Sequence, residues 1–249
     1  MLDVKTPLHR RLAAELLGTG LLVTIVVGSG IAAQSLSPND VGLQLLENSL
    51  ATVFGLAVLV LMFGPVSGAH LNPVVSAVDW LLGRRAGTGL SGREVAAYTL
   101  AQVTGGVLGA VLANVMFDLP AGQVATTDRV SAGHGVGEVV ATAGLVLLIF
   151  ALARTGRGAL SAAAVGAYIG AAYWFTSSTS FANPAVTVGR MFSDTFAGIA
   201  PGSAPLFIGA QVIGAAVGLA LVYFLFPDAS AAAGRAVVPH ANTVTTEKS

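Results

Sequence analysis

The chain has 249 residues, of which 54% are hydrophobic and only 10% charged, with a mean hydropathy of +0.79. A soluble domain carries about 25% charged residues, so there are too few charges here to coat a water-exposed surface. Twelve basic and twelve acidic side chains cancel, which leaves no basic footprint for nucleic acid. The absence of cysteine excludes disulfides, thiol chemistry and cysteine metal sites.

A helix that crosses a bilayer needs roughly 20 mostly apolar residues. The first charge-poor stretch, 12–33, is too long for a signal-peptide core and lacks a small-residue cleavage site, so it reads as staying in the membrane. Further stretches follow at 45–63, 95–117, 137–153, 160–175 and 204–226, which makes six predicted transmembrane helices. Two more apolar segments, 73–82 and 184–192, are too short to cross. Each opens with proline, which suits the first position of a helix because its missing N–H would be unpaired there anyway. The small, polar runs that precede them, 64–71 and 176–182, read as loops. Irregular backbone at membrane depth is tolerated only where protein or a watery cavity surrounds it, so both segments are predicted to be re-entrant half-helices. The tail at 229–249 is small and polar and reads as disordered.

Lys and Arg placement sets orientation. With the N-terminus inside, the inner side collects Lys5, Arg10, Arg11, Arg84, Arg85, Arg93, Arg154, Arg157, Arg235 and Lys248, and the outer side keeps Arg129 and Arg190. Both termini are therefore expected in the cytoplasm.

The chain also repeats itself. Glu15-Leu-Leu-Gly-Thr19 matches Glu138-Val-Val-Ala-Thr142, Asn72-Pro73-Val74 matches Asn183-Pro184-Ala185, and Ala101-Gln102-Val103 matches Ala210-Gln211-Val212. Three spans per copy is an odd number, so the second copy must sit inverted, as in known transport architectures built from broken helices. Each half-helix then enters from its own side, and its N-terminus brings roughly +0.5 of an elementary charge to the midplane. Asn72 and Asn183 are favoured N-cap residues, and their amides can also donate to a passing oxygen. Small-residue pairs at Gly105/Gly109, Gly166/Gly170 and Gly214/Gly218 are expected at close helix crossings. Ionisable residues inside a bilayer are functional candidates by default, and Glu15, Glu138 and His70 are the clear ones here.

The segments Ser67-Gly-Ala-His70-Leu-Asn72-Pro73-Val74 and Phe181-Ala-Asn183-Pro184-Ala185 resemble the paired Asn-Pro-Ala boxes of the aquaporin (major intrinsic protein) family, over roughly residues 11–226. The resemblance implies an all-α membrane fold: six transmembrane helices plus two re-entrant half-helices in an inverted two-fold repeat. It implies one channel domain spanning 1–249, with repeats at about 11–117 and 137–226. It further implies a passive pore for small neutral solutes and water, a homotetramer in a bacterial inner membrane, and no enzymatic activity, cofactor, metal or nucleic-acid partner. By the same resemblance, Glu15 and Glu138 brace the re-entrant loops, and His70 scaffolds the first loop beside the inner vestibule.

Family spacing places the pore constriction at Thr52, Ala171 (with Gly170 its neighbour), Ser180 and Val186. Most members carry arginine where Val186 stands, so the expected ring is small, uncharged and wide. Arg190, one helical turn further on, is a candidate to stand in for that arginine. The run Asn183-Pro184-Ala185-Val186-Thr187, with Ala172-Tyr173-Trp174-Phe175-Thr176 before it, resembles a bacterial subgroup associated with arsenic resistance. That implies glycerol-like polyols, arsenous acid or methylated arsenicals as solutes. A water-selective channel and an ion- or proton-coupled transporter are the alternatives.

Overall fold

The computed structural model describes residues 6–84 and 87–226. Lys5, Arg85, Arg235 and Lys248 of the inner-side set, and the tail at 229–249, lie outside the described residues. The elements in chain order are α1 (Leu8–Leu36), α2 (Val41–Ser67), α3 (Pro73–Gly83), α4 (Gly92–Met116), α5 (Ala132–Arg154), a 3-10 turn (Gly158–Leu160), α6 (Ser161–Phe175), α7 (Pro184–Arg190) and α8 (Ala204–Leu225). All regular structure among the described residues is helical, and six helices are long and apolar enough to cross a membrane, α6 together with its 3-10 turn. The chain is a multi-pass membrane protein.

The helices overrun their predicted spans because polar residues extend and cap them where hydropathy falls. Asp40 accepts from Leu43 N at the start of α2, Ser91 and Glu94 form a reciprocal capping box on α4, and Ser131 caps α5. One boundary moves substantially. The predicted loop 64–71 is helical as far as Ser67, with Pro65 inside α2. The stop comes at Gly68, whose left-handed φ of 87° turns the chain while its N–H still reaches Gly64 O.

Burial is inverted relative to a soluble protein. Glu15, Gln102, Glu138 and Gln211 are fully buried, whereas Phe54, Leu61, Leu100 and Phe224 stand exposed around the outside, Phe224 at 82%. An apolar exterior is the surface that hydrocarbon requires.

In lipid there is no hydrophobic drive to press helices together, so close packing depends on small residues. The glycine pairs lie at those crossings. A Cβ built on Gly105 would stand 2.2 Å from Leu16 O, and one on Gly109 would stand 2.1 Å from Gly20 O, at the α1–α4 contact. The second copy repeats this at α5–α8, where Gly214 and Gly218 approach Val139 O and Ala143 O at 2.6 and 2.8 Å. Gly166 and Gly170 let α6 close on Val53 of α2, which joins one repeat to the other. The half-helix α7 is seated in the same way, since a Cβ on Gly189 would meet Gly106 O at 2.6 Å.

Gly109→Ala should therefore lower the thermal midpoint in detergent, with overpacking costing about 1–3 kcal/mol. Gly209→Ala in α8 is the matched control: nothing lies within 4 Å of the new Cβ, and exchanging glycine for alanine in a helix should leave the midpoint unchanged or raise it. A Gly109→Ala protein as stable as its control would show that the α1–α4 contact does not depend on backbone approach.

Candidate functional site

The two short helices meet end to end through their first residues. Asn72 and Asn183 sit in extended conformation just before α3 and α7, and each caps its own helix: Asn72 Oδ1 accepts from Val74 N, and Asn183 Oδ1 accepts from Ala185 N and Val186 N. Pro73 and Pro184 occupy the first helical positions, and Val74 and Ala185 supply the capped N–H groups. The amides then cross over. Asn72 Nδ2 donates to Ala182 O at 2.8 Å, and Asn183 Nδ2 donates to Leu71 O at 2.7 Å. A carboxamide has two N–H donors, so each asparagine keeps one beyond this reciprocal tie.

The loops before the asparagines share an unusual backbone. Ala69 and Leu71 have φ of 46° and 49°, and Ser180 and Ala182 have φ of 51° and 47°. Left-handed conformation costs a non-glycine residue roughly 1–2 kcal/mol and persists only where the surroundings over-determine it. Here the surroundings are two buried carboxylates. Alternating handedness points successive N–H groups to one side, as in an anion nest. Glu15 accepts His70 N at 3.0 Å and Leu71 N at 2.7 Å, and Glu138 accepts Phe181 N at 2.9 Å and Ala182 N at 2.8 Å. Side chains complete each carboxylate: Ser67 Oγ and Gln102 Nε2 donate to Glu15 at 2.6 and 2.7 Å, and Ser178 Oγ and Gln211 Nε2 donate to Glu138, both at 2.6 Å. Each glutamine also bonds the hydroxyl one turn into the half-helix, Ser76 or Thr187.

The serines, the glutamines, Ser76 and Thr187 have no role in the sequence-level reading. Their signal lay in the repeat: Gln102 and Gln211 are aligned there, and Ser67 and Ser178 hold equivalent places ahead of the two asparagines. His70 lies in the first loop, with Nδ1 3.1 Å from Ser76 Oγ and its ring edge-on to Tyr98 at 5.6 Å between centroids.

Asn72, Asn183 and His70 line one cavity of about 60 Å³, walled by both repeats. Its helical walls are apolar, with Leu22, Leu56, Val60, Leu145, Ile149 and Val165 among them. Polar groups come from the loop side and from the end at which Thr52, Tyr173, Ser180, Val186 and Arg190 gather.

That gathering corrects the expected constriction. Ala171 is exposed on the outside of α6 and does not line the cavity. Val165, Ile169 and Tyr173 form the facing stripe at four-residue spacing; a residue two positions away points about 200° around a helix of 3.6 residues per turn. Tyr173 lines the cavity instead, with its hydroxyl 3.1 Å from Thr52 Oγ1. The cavity lining at this end is therefore neither uniformly small nor uncharged. Arg190 is 3% exposed, faces this cavity, lies 3.4 Å from the Phe181 ring centroid and donates through Nε to Ala197 O. Arg129, in the connection before α5, holds the same loop by donating to Gly198 O at 2.8 Å and Phe196 O at 3.1 Å. Its neighbour Asp128 accepts from Ser203 Oγ and Val130 N, and these bonds hold its carboxyl below the usual range.

Comparison with known proteins agrees with this architecture. The family described as Major intrinsic protein matches residues 3–181. The chain is 50% identical over 222 residues to Aquaglyceroporin AqpS of Rhizobium meliloti, covering 89% of this chain and 92% of that one. It is 40% identical over 134 residues to Aquaporin Z of Photorhabdus laumondii, covering 52% of each. Its fold matches the aquaglyceroporin from Plasmodium falciparum with a TM-score of 0.62 at 20% identity, over 90% of this chain and 99% of the other. With a family match across most of its length and a full-length relative at half identity, the chain belongs to the major intrinsic protein family of membrane channels.

Proposed function

We propose that the pore passes small neutral hydroxylated solutes of glycerol size, with water, passively and down their gradient. The observation that carries this reading is the two-sided cavity. Its apolar helical wall can hold the carbon side of a solute, while the box asparagines offer N–H donors and the polar end offers hydroxyls. An ion gains little from such a wall in return for its hydration shell, and the half-helix N-termini add a positive potential at the junction. The relative named an aquaglyceroporin, similar over nearly the whole chain, supports the same solute class. Arsenous acid, a neutral molecule that displays hydroxyls much as glycerol does, fits the same description, as do methylated arsenicals.

The working residues in this proposal are Asn72 and Asn183 at the boxes, and Thr52, Tyr173, Ser180, Val186 and Arg190 at the far end; Glu15, Glu138 and His70 hold the loops. Both repeats build one channel unit, since each contributes half of the box junction. The positive-inside bias supports cytoplasmic termini in a bacterial inner membrane, and a homotetramer with one pore per subunit is the assembly proposed. A proton-coupled mechanism finds less support, because each buried carboxylate, Glu15 or Glu138, is occupied by four donors within the brace. A water-selective pore is favoured by one observation, the tyrosine and arginine that face the cavity where small residues were expected.

Stopped-flow light scattering on reconstituted vesicles separates these readings. Glycerol and arsenous acid should equilibrate far faster than in empty vesicles, and an imposed pH gradient should drive no accumulation beyond equilibrium. Water flux without solute flux would establish the water-selective alternative, and uphill accumulation would overturn the channel reading.

Val186→Arg tests the far end directly, because it sets a second guanidinium beside Arg190. Glycerol flux should fall by tenfold or more while water flux falls less. Equal losses of both in a well-folded protein would remove Val186 from the constriction.

A further inference from the structure

Each repeat buries one hydroxyl and one amide oxygen that the brace leaves open. Thr19 Oγ1 and Gln102 Oε1 in the first repeat, and Thr142 Oγ1 and Gln211 Oε1 in the second, have no partner among the described residues. All four side chains are fully buried. They hold equivalent places: each threonine lies one turn beyond its brace glutamate, and each glutamine donates to that same glutamate. Ser180 Oγ is also unpartnered, but it lines the cavity, where permeating molecules reach it. None of the other four lines the cavity.

The polarity of each glutamine is fixed. Gln102 Nε2 donates to Glu15 Oε2 at 2.7 Å and to Ser76 Oγ at 3.2 Å, which uses both amide hydrogens. An ionised carboxylate only accepts, so the amide cannot be turned over and its oxygen remains an acceptor. Gln211 repeats this with Glu138 Oε2 at 2.6 Å and Thr187 Oγ1 at 2.9 Å.

The two threonines depart from the habit of the other helical ones. Thr24, Thr52 and Thr187 each return the hydroxyl hydrogen to the carbonyl four residues back, at 2.9 Å. Thr19 and Thr142 make no such bond. Both sit where their repeat is tightest. A Cβ built on Gly214, one turn beyond Gln211, would stand 2.8 Å from Thr142 Cβ. In the first repeat Gly105, one turn beyond Gln102, meets Leu16 O and Gly20 N, the residues that bracket Thr19.

An unpaired hydroxyl and an unpaired amide oxygen on one dry seam are costly, and buried polar atoms are rarely left so. The two oxygens do not bond each other. A water molecule satisfies both, because it donates to the amide oxygen and also bonds the hydroxyl. We propose that each repeat holds one buried water as the last member of its brace. One bridges Thr19 and Gln102, and the other bridges Thr142 and Gln211. Each water ties the glutamine that orders the loop back to the helix that carries the glutamate. Both lie behind the half-helices, outside the path of permeation, so the assignment does not depend on which solute the pore passes.

The sign of a stability change tests this. Thr142→Val keeps the shape of the side chain and removes the hydroxyl. With a bridging water, the variant strips that water of a partner, and the thermal midpoint in detergent should fall by about 2–4 °C, the scale of one hydrogen bond in a chain of this size. With a merely orphaned hydroxyl, valine would remove a penalty, and a midpoint that holds or rises would overturn the proposal. A high-resolution crystal structure should show an ordered water within about 3.2 Å of both oxygens in wild type and in Thr142→Ser, and none in Thr142→Val. A direct threonine–glutamine bond, or a water in one repeat alone, would defeat the paired assignment. Thr19→Val and Thr19→Ser make the same comparison in the first repeat and decide the matter if a second-repeat variant does not fold. Glycerol and water flux in vesicles should be unchanged in Thr142→Val; an altered glycerol-to-water ratio would place the site in the solute path and count against it.

Discussion

The structure depends on two carboxylates buried where a charge is most expensive. Glu15 and Glu138 each take two backbone N–H groups, one serine hydroxyl and one glutamine amide. Four donors aimed at one carboxylate offset the loss of water that makes an isolated buried charge prohibitive. In exchange the carboxylate fixes two peptide units in a handedness that alanine and leucine avoid. The same event turns the loop carbonyls away from the brace, so Leu71 O and Ala182 O can receive the asparagine of the opposite half.

The arrangement is mutual. Neither half-helix could hold its asparagine at the junction alone, since each carboxamide is positioned by its own helix N-terminus and by a carbonyl from the other repeat. Glycine makes the approach possible: Gly106 and Gly189 bring α4 and α7 into backbone contact, leaving no room for α7 to slide. The polar core is thus rigid for a reason that is absent from soluble proteins. In lipid an unsatisfied backbone group has no water to fall back on, so the loops keep their bonds or the fold fails.

The far end of the cavity departs from the ring that family spacing implies. Val186 is apolar, yet a guanidinium faces the same cavity from Arg190 and is anchored by Phe181 and Ala197 O. Tyr173 supplies bulk and a hydroxyl on the opposite wall. This end differs from the small, uncharged ring that family spacing implies, although the cavity is walled by the expected elements.

Much of this molecule was legible in its sequence. Apolar runs separated by charges mark the six spans because hydrocarbon tolerates little else. The doubled Asn-Pro boxes mark the junction because each copy of the repeat carries one, and the family resemblance implied the bracing role of the two glutamates. The glycine pairs mark close crossings because no other residue leaves space for a neighbouring carbonyl. Ala171 shows where that logic ends. Counting back from Asn183 crosses an irregular loop, and over irregular backbone residue number no longer fixes rotation, so the facing residue proved to be Tyr173. The end of α2 escaped as well, since the small, polar residues of 64–71 read as a loop, whereas the helix continues through Pro65 to Ser67. The sequence by itself determined the membrane-spanning helices and the internal repeat, since apolar run length and repeated motifs carry that information locally, and the family resemblance pointed to the box asparagines. Only the tertiary structure decided which side chains face the cavity at its far end and which hydrogen bonds they leave open, because those depend on helix rotation and on partners distant in the chain.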